Sequence, residues 1–173
     1  AMSEALTIIL KRNDPTAAAK QVSLTELGSI KIDKEDRKKM YKTIPRSSVI
    51  GFLIGVLPGA GATIASFLAY GMERNLVNDD EKKKFGKGSV NGLSAPETAN
   101  NAACSGSFVP MLTLGIPGSG TTAVMLGALL GFGVQPGPRL YMTNPEIFWS
   151  IIMSMYIGTV SYTHLRAHET LSY

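Results

Sequence analysis

Ser47–Met72 reads SSVIGFLIGVLPGAGATIASFLAYGM, a stretch without a single charge. One helix of that length would span the ~30 Å hydrocarbon core of a bilayer. Pro58-Gly59-Ala60-Gly61 interrupts it near the middle. Proline removes a backbone donor and clashes with the preceding turn, and glycine favours non-helical backbone. The run therefore divides into halves of about eleven residues, each about 16 Å long. Two geometries follow. One is a broken helix that crosses the membrane. The other is a re-entrant hairpin with its tip at PGAG. Lys and Arg on both flanks favour the hairpin only weakly, because the downstream flank carries nearly balancing acids.

The charge distribution outside this run is just as uneven. Charged residues are 17% of the chain, below the usual quarter. Residues 1–46 hold 10 Lys/Arg and 6 Asp/Glu, residues 73–87 hold 9 charges, and the whole stretch from Thr98 to Pro138 holds none. A water-exposed helix needs a polar face, so such runs point to membrane-buried chain. The pattern predicts a polar loop over 1–46, with a short helix around Lys34–Tyr41 and lysines that face water. It predicts a transmembrane core over 47–160, with 73–87 as a polar connector. Net charge is +4. The basic residues flank apolar runs without interleaved aromatics, which fits cytoplasmic loops and not a nucleic-acid partner. Cys104 is the only cysteine and reads as a small packed residue. The first apolar run begins too late and is too long for a signal peptide.

A second interruption explains the first. Gly115-Ile116-Pro117-Gly118-Ser119-Gly120-Thr121-Thr122 has the glycine spacing of a phosphate loop, but Thr121 stands where the essential lysine belongs. LPGAGATIA from Leu57 aligns with IPGSGTTAV from Ile116, with Pro, Gly, Gly and Thr identical. Paired Gly/Pro-interrupted apolar segments point to the binding site of secondary transporters. Each break leaves free N–H groups and a positive dipole end at the following half-helix. Pro58, Gly59, Gly61 and Thr63 in one copy, and Pro117, Gly118, Ser119, Gly120, Thr121 and Thr122 in the other, therefore read as a cradle. It could hold an anion on N–H and hydroxyl donors, or Na⁺ on unwound carbonyls. The alternative is two packing kinks.

APETANNAA is the remaining polar island. Glu97 is the only charge between Gly88 and Pro138, and Asn100 and Asn101 follow at helical spacing. Pro96 suits a helix start. Glu97 reads as an interior group near a break that carries a proton or ligates Na⁺. The alternative is a capping carboxylate at the membrane surface. Breaks at Pro110 and Pro117 and a helix opening at Pro145 complete the outline. HExxH, GxSxG and paired-Cys motifs are missing, so the chain reads as no enzyme and as needing no cofactor or resident metal.

Over residues 46–158 the chain resembles the large membrane subunit of the bacterial tripartite tricarboxylate transporters. The residues that carry the likeness are GFLIGVLPGAGATIASFLAYGMER, FGKGSVNGLSAPETANNAACSGSFVPMLTLGIPGSGTTAVMLGALLGFGVQPGP and PEIFWSIIMSMYIG. The resemblance implies an all-α, polytopic membrane protein with Gly/Pro-broken or re-entrant helices, of which this chain is a fragment from the second half. It also implies a multi-pass permease subunit of the bacterial inner membrane. Such a permease imports tricarboxylates or related carboxylates on a Na⁺ or H⁺ gradient. Its partners would be a small membrane subunit and a periplasmic solute-binding protein. A non-transporting membrane scaffold is the alternative. The likeness stops near Val160. SYTHLRAHET resembles translated adaptor sequence, so 161–173 is expected to be a non-native tail with no functional role.

Overall fold

The computed structural model describes the backbone of residues 32–169 and the side chains of 32–161. The chain divides at Asp33, and the unit from Lys34 onward carries every element below. Most of the expected polar segment 1–46 lies outside the described residues. So do the side chains of 162–173, both histidines included.

Among the described residues the fold is all-helical. In chain order the helices are α1 (Lys34–Val56), α2 (Gly61–Leu76), α3 (Asp79–Lys82), α4 (Val90–Gly106), α5 (Phe108–Leu114), α6 (Gly120–Gly131), α7 (Leu140–Thr143) and α8 (Pro145–Glu169). The helices stop at Val56 and Leu114 and resume at Gly61 and Gly120. Those two restarts occupy matching positions in the two copies of the repeat.

Three expectations need correction. The short helix at Lys34–Tyr41 is the opening third of α1, which runs without interruption past residue 46 with Pro45 inside it. Burial of Thr43 and Ser47 on the same face as Gly51 and Gly55 carries the helix through the change from charged to apolar sequence. Pro96 does not start a helix. α4 begins at Val90, where Ser89 Oγ accepts from Gly92 N at 3.1 Å, an N-cap that leaves Pro96 inside. Pro110 does not break one either. It lies in the first turn of α5, where its missing donor costs little, and the interruption falls at Ser107.

The core of α1, α2 and α4 is made of small residues at four-residue spacing. Thr43, Ser47, Gly51 and Gly55 line α1. Ala65, Ala69 and Glu73 line α2. Asn91, Ala95, Ala99 and Ala103 line α4. A Cβ on Gly51 would lie 2.3 Å from Ala99 O, and one on Gly55 would lie 2.3 Å from Ala103 O. Thr43 meets Asn91 at the same offset of 48. α1 and α4 therefore run parallel in fixed register with their backbones in contact. Meanwhile Phe52, Leu53, Phe67 and Leu68 point outward. Small residues inside and large apolar ones outside is how helices pack in lipid, where the solvent does not drive leucine inward.

Arg46 on α1 and Glu73 on α2 meet at 2.8 Å. A straight continuation would put them about 40 Å apart at 1.5 Å per residue. The charge-free run is thus a hairpin with PGAG at its tip, which settles the choice of geometry. Among the described residues no helix is long and apolar enough to cross a membrane.

A second core gathers Met111 and Leu112 of α5, Val134 and Leu140, with Phe108, Leu129, Ile147 and Phe148 packed against it. Gly137 N donates to Leu112 O at 3.2 Å and ties the 132–139 loop to α5. The expected helix from Pro145 forms, and its backbone stays helical through Glu169, past Val160.

The connector after α2 is clasped to α1. Glu81 accepts from Lys39 at 3.3 Å and from Lys84 at 3.2 Å. Partial burial alone would push its carboxyl up, but the bonds from Lys84 and Lys39 outweigh that and hold it below the usual carboxylate range. A depressed carboxyl contributes stability that is present above its unfolded pKa and lost as pH falls through the folded value. The thermal midpoint of the wild-type protein should therefore exceed that of Glu81→Gln near neutrality. The two should converge below about pH 4, under the ordinary glutamate value of about 4.3. A gap that persists in acid would show that Glu81 acts by packing.

Candidate functional site

Both breaks open onto one cleft of about 440 Å³. This lies within the usual size for small-molecule sites, roughly 300–1,000 Å³. Gly59, Gly61 and Thr63 line one side. Pro117, Gly118, Ser119, Gly120, Thr121 and Thr122 line the other, and Ala103, Cys104, Ser107 and Phe108 from the α4–α5 junction close it. Gly59 N donates to Gly118 O at 3.2 Å, so the tips are joined backbone to backbone. The paired glycines are legible in the sequence, but their meeting is not.

The two breaks differ internally, and one aligned position accounts for it. Ser119 stands where the first copy has Ala60. Ser119 Oγ accepts from Thr122 N at 3.2 Å and Ser119 N donates to Thr122 Oγ1 at 2.8 Å, a reciprocal capping box. Thr122 is consequently buried and committed. Ala60 has no side-chain oxygen, and α2 starts without a side-chain cap. The first break instead turns on Gly59 (φ 82°) and Gly61 (φ 68°), left-handed backbone that glycine adopts without steric cost. Thr63, the counterpart of Thr122, is exposed into the cleft, as is Thr121. The cradle thus offers hydroxyls from Thr63 and Thr121, while Ser119 and Thr122 hold the second break in shape. Ser119→Ala should cost about 1 kcal/mol, the usual worth of a lost N-cap, read as a lower thermal midpoint. An unchanged midpoint would show the box to be ornamental.

Glu97, Asn100, Asn101 and Pro58 do not line the cleft. Glu97 is exposed on α4, not on the interior face expected for it. The inward face of α4 is the Asn91–Ala95–Ala99–Ala103 stripe, which Glu97 misses by two positions. Asn101 Nδ2 donates to Glu97 O at 3.0 Å, and Asn100 Oδ1 accepts from Cys104 Sγ at 3.7 Å. Asn100 borders a neighbouring groove shared with Thr63, Ser66 and Tyr70. Cys104, expected to be packed, is exposed at the cleft wall.

The buried carboxylate is Glu73, which the sequence places at the edge of a polar connector. It is fully buried. Its Oε1 accepts from Arg46 Nη2 at 2.8 Å, Thr43 Oγ1 at 2.8 Å and Asn91 Nδ2 at 3.1 Å. Glu73 stands one step of four beyond Ala69 on the α2 stripe, and that spacing is the signal available to find it.

Among the described residues, an all-helical fold places two facing Pro/Gly breaks around one cleft, a feature that secondary transporters use at their binding sites. The chain belongs to the tripartite tricarboxylate transporter TctA family, whose model matches residues 1–167. It is therefore related to a membrane subunit of a multi-component transporter. It is 39% identical over 149 residues to an uncharacterized 52.8 kDa protein in the TAR-I ttuC' 3' region of Agrobacterium vitis, covering 86% of this chain and 29% of that protein. It is 46% identical over 110 residues to an uncharacterized protein in the TAR-II ttuC' 3' region of the same organism, covering 64% of this chain and 45% of the relative. The chain spans less than half the length of either. No solved structure matches it.

Proposed function

We propose that this chain is part of the permease subunit of an ion-gradient-driven importer of tricarboxylates or related carboxylates, and that the facing breaks cradle the carboxylate. The observation that carries the reading is the single cleft lined by both copies of the repeat and joined by the Gly59–Gly118 bond. The described lining holds no Lys or Arg, so an anion would be met by N–H groups at the α2 start and by the Thr63 and Thr121 hydroxyls. Outward-facing Phe52, Leu53, Phe67 and Leu68 fit a bilayer. On this reading the subunit is multi-pass in the bacterial inner membrane, with a small membrane subunit and a periplasmic solute-binding protein as partners and Na⁺ or H⁺ as the driving ion.

The test is uptake of radiolabelled carboxylate by the intact three-component system. It would be run beside a version in which Pro117-Gly118-Ser119-Gly120 is replaced by a Leu/Ala helix. A carrier should lose at least tenfold in rate while still assembling. A scaffold, whose breaks are only kinks, would transport as before. With Cys104 left as the sole thiol of the system, carboxylate should also slow maleimide labelling of that residue. Labelling indifferent to carboxylate would place the ligand elsewhere.

A further inference from the structure

The cradle leaves one buried cluster unused. At the base of the hairpin, opposite its tip, three helices bring polar side chains into their small-residue stripes. All three donors that reach Glu73 land on Oε1, and Oε2 is buried without a partner. Asn91 spends its amide hydrogens on Thr43 Oγ1 and Glu73 Oε1, and its Oδ1 is buried and unpartnered. Ser47 stands one turn along the stripe from Thr43, is fully buried, and its Oγ is unpartnered. A carboxylate and an amide oxygen thus lack a donor and a hydroxyl lacks any partner, each on a different helix near the base of the hairpin. Native interiors rarely leave such groups unsatisfied.

We propose that this region is a monovalent-cation site that takes Na⁺, and that Na⁺ bound there is the coupling ion of the transport reading above, on which this coupling role rests. The donor set is all hard oxygen. It contains no thiol or imidazole to select a transition metal. One carboxylate shared with an arginine is too little negative charge for a divalent ion, which takes several. A water there would donate to Glu73 Oε2 and Asn91 Oδ1 and accept from Ser47 Oγ, but it would answer equally in sodium, potassium and choline, whereas a sodium site answers to sodium alone. Arg46 makes an exchange physically reasonable. Its side chain is 41% exposed while that of Glu73 is fully buried, so the guanidinium can turn to water once a cation neutralises the carboxylate from inside. The Arg46–Glu73 pair closes the base of the hairpin whose tip forms the cleft. Replacing that pair by an ion held on α1, α2 and α4 changes how the hairpin is fastened, and so links ion binding to the cradle.

The test uses the intact transporter purified in detergent, with no carboxylate present. Its thermal midpoint is measured in sodium, potassium and choline chloride at one ionic strength. Sodium alone should raise the midpoint of the wild-type protein by a few degrees. Glu73→Gln should abolish the rise, Ser47→Ala should shift its midpoint to severalfold higher sodium, and Glu97→Gln should leave it intact. An equal response in all three salts, a response kept in Glu73→Gln, or one lost in Glu97→Gln overturns the site. So does stabilisation that follows acid and ignores sodium, which would assign the cluster to a proton. If Glu73→Gln does not fold, the wild-type salt comparison and Ser47→Ala decide. Carboxylate uptake is measured separately. Sodium stabilisation with no uptake under any gradient overturns the transport reading and leaves the cation site standing. Uptake indifferent to sodium, with stabilisation intact, overturns the coupling role.

Discussion

Gly51→Ala and Gly55→Ala each destabilise the protein, and together they separate α1 from α4. Helix propensity alone gives the opposite sign, since alanine is better than glycine in a helix interior by about 0.8–1.0 kcal/mol. Here the added methyl would sit 2.3 Å from a backbone carbonyl oxygen of α4. The atom it meets belongs to a helix backbone and cannot rotate away, so two whole helices must part. Overpacking costs typically ~1–3 kcal/mol, and a rigid neighbour puts each of these sites at the top of that range. Gly71 on α2 is the internal control, because a Cβ there meets nothing within 4 Å. Gly71→Ala should be neutral or gain up to about 1 kcal/mol. Thermal midpoints of the three variants in one detergent decide the matter. Equal behaviour at Gly55 and Gly71 would mean that α1 and α4 are not in backbone contact.

The second large effect is an asymmetry within the Arg46–Glu73 pair. Removing one partner of a buried pair costs about 3–5 kcal/mol when the other charge is left buried and uncompensated. Arg46→Met does that to Glu73, which has no exposure at all. Glu73→Gln leaves an arginine that already reaches water, and the new amide oxygen still accepts from Thr43 and Asn91. Its cost should be nearer the ~1–3 kcal/mol of an imperfectly satisfied polar group. The expected order is therefore Arg46→Met worse than Glu73→Gln. The double variant should be less damaged than Arg46→Met alone, because it no longer buries a lone charge. A double-mutant cycle on thermal unfolding reads all three. Equal single variants would remove the asymmetry, and effects that simply added would make the pair a surface contact of little weight.

How much of this is written in the sequence depends on the residue. Pro58, Pro117 and their glycines fix where helix must stop, because that constraint acts within a few residues of backbone. The breaks therefore fall where the repeat places them. Cys104, Glu97 and Glu73 are harder to read. Burial depends on which face of a helix meets a neighbour, and the exposed position of Glu97 on α4 lies only two residues from the inward stripe. Glu97 stands out in the sequence because it is the only charge in an apolar run. Glu73 hides among the other charges of its segment, although it is the one that the helices enclose.

Local chemistry thus determined the all-helical class, the two breaks and the charge-free runs. Each rests on backbone donors, side-chain volume and hydropathy within a single stretch of chain. Tertiary structure decided that the first run is a hairpin and not one continuing helix, that its tip meets the second break in one cleft, and that Glu73 is a buried acid. Those outcomes are set by contacts between distant stretches of chain, at Arg46–Glu73, Gly59–Gly118 and Glu73–Asn91. They depend on close backbone approach at Gly51 and Gly55, which no single segment can arrange alone.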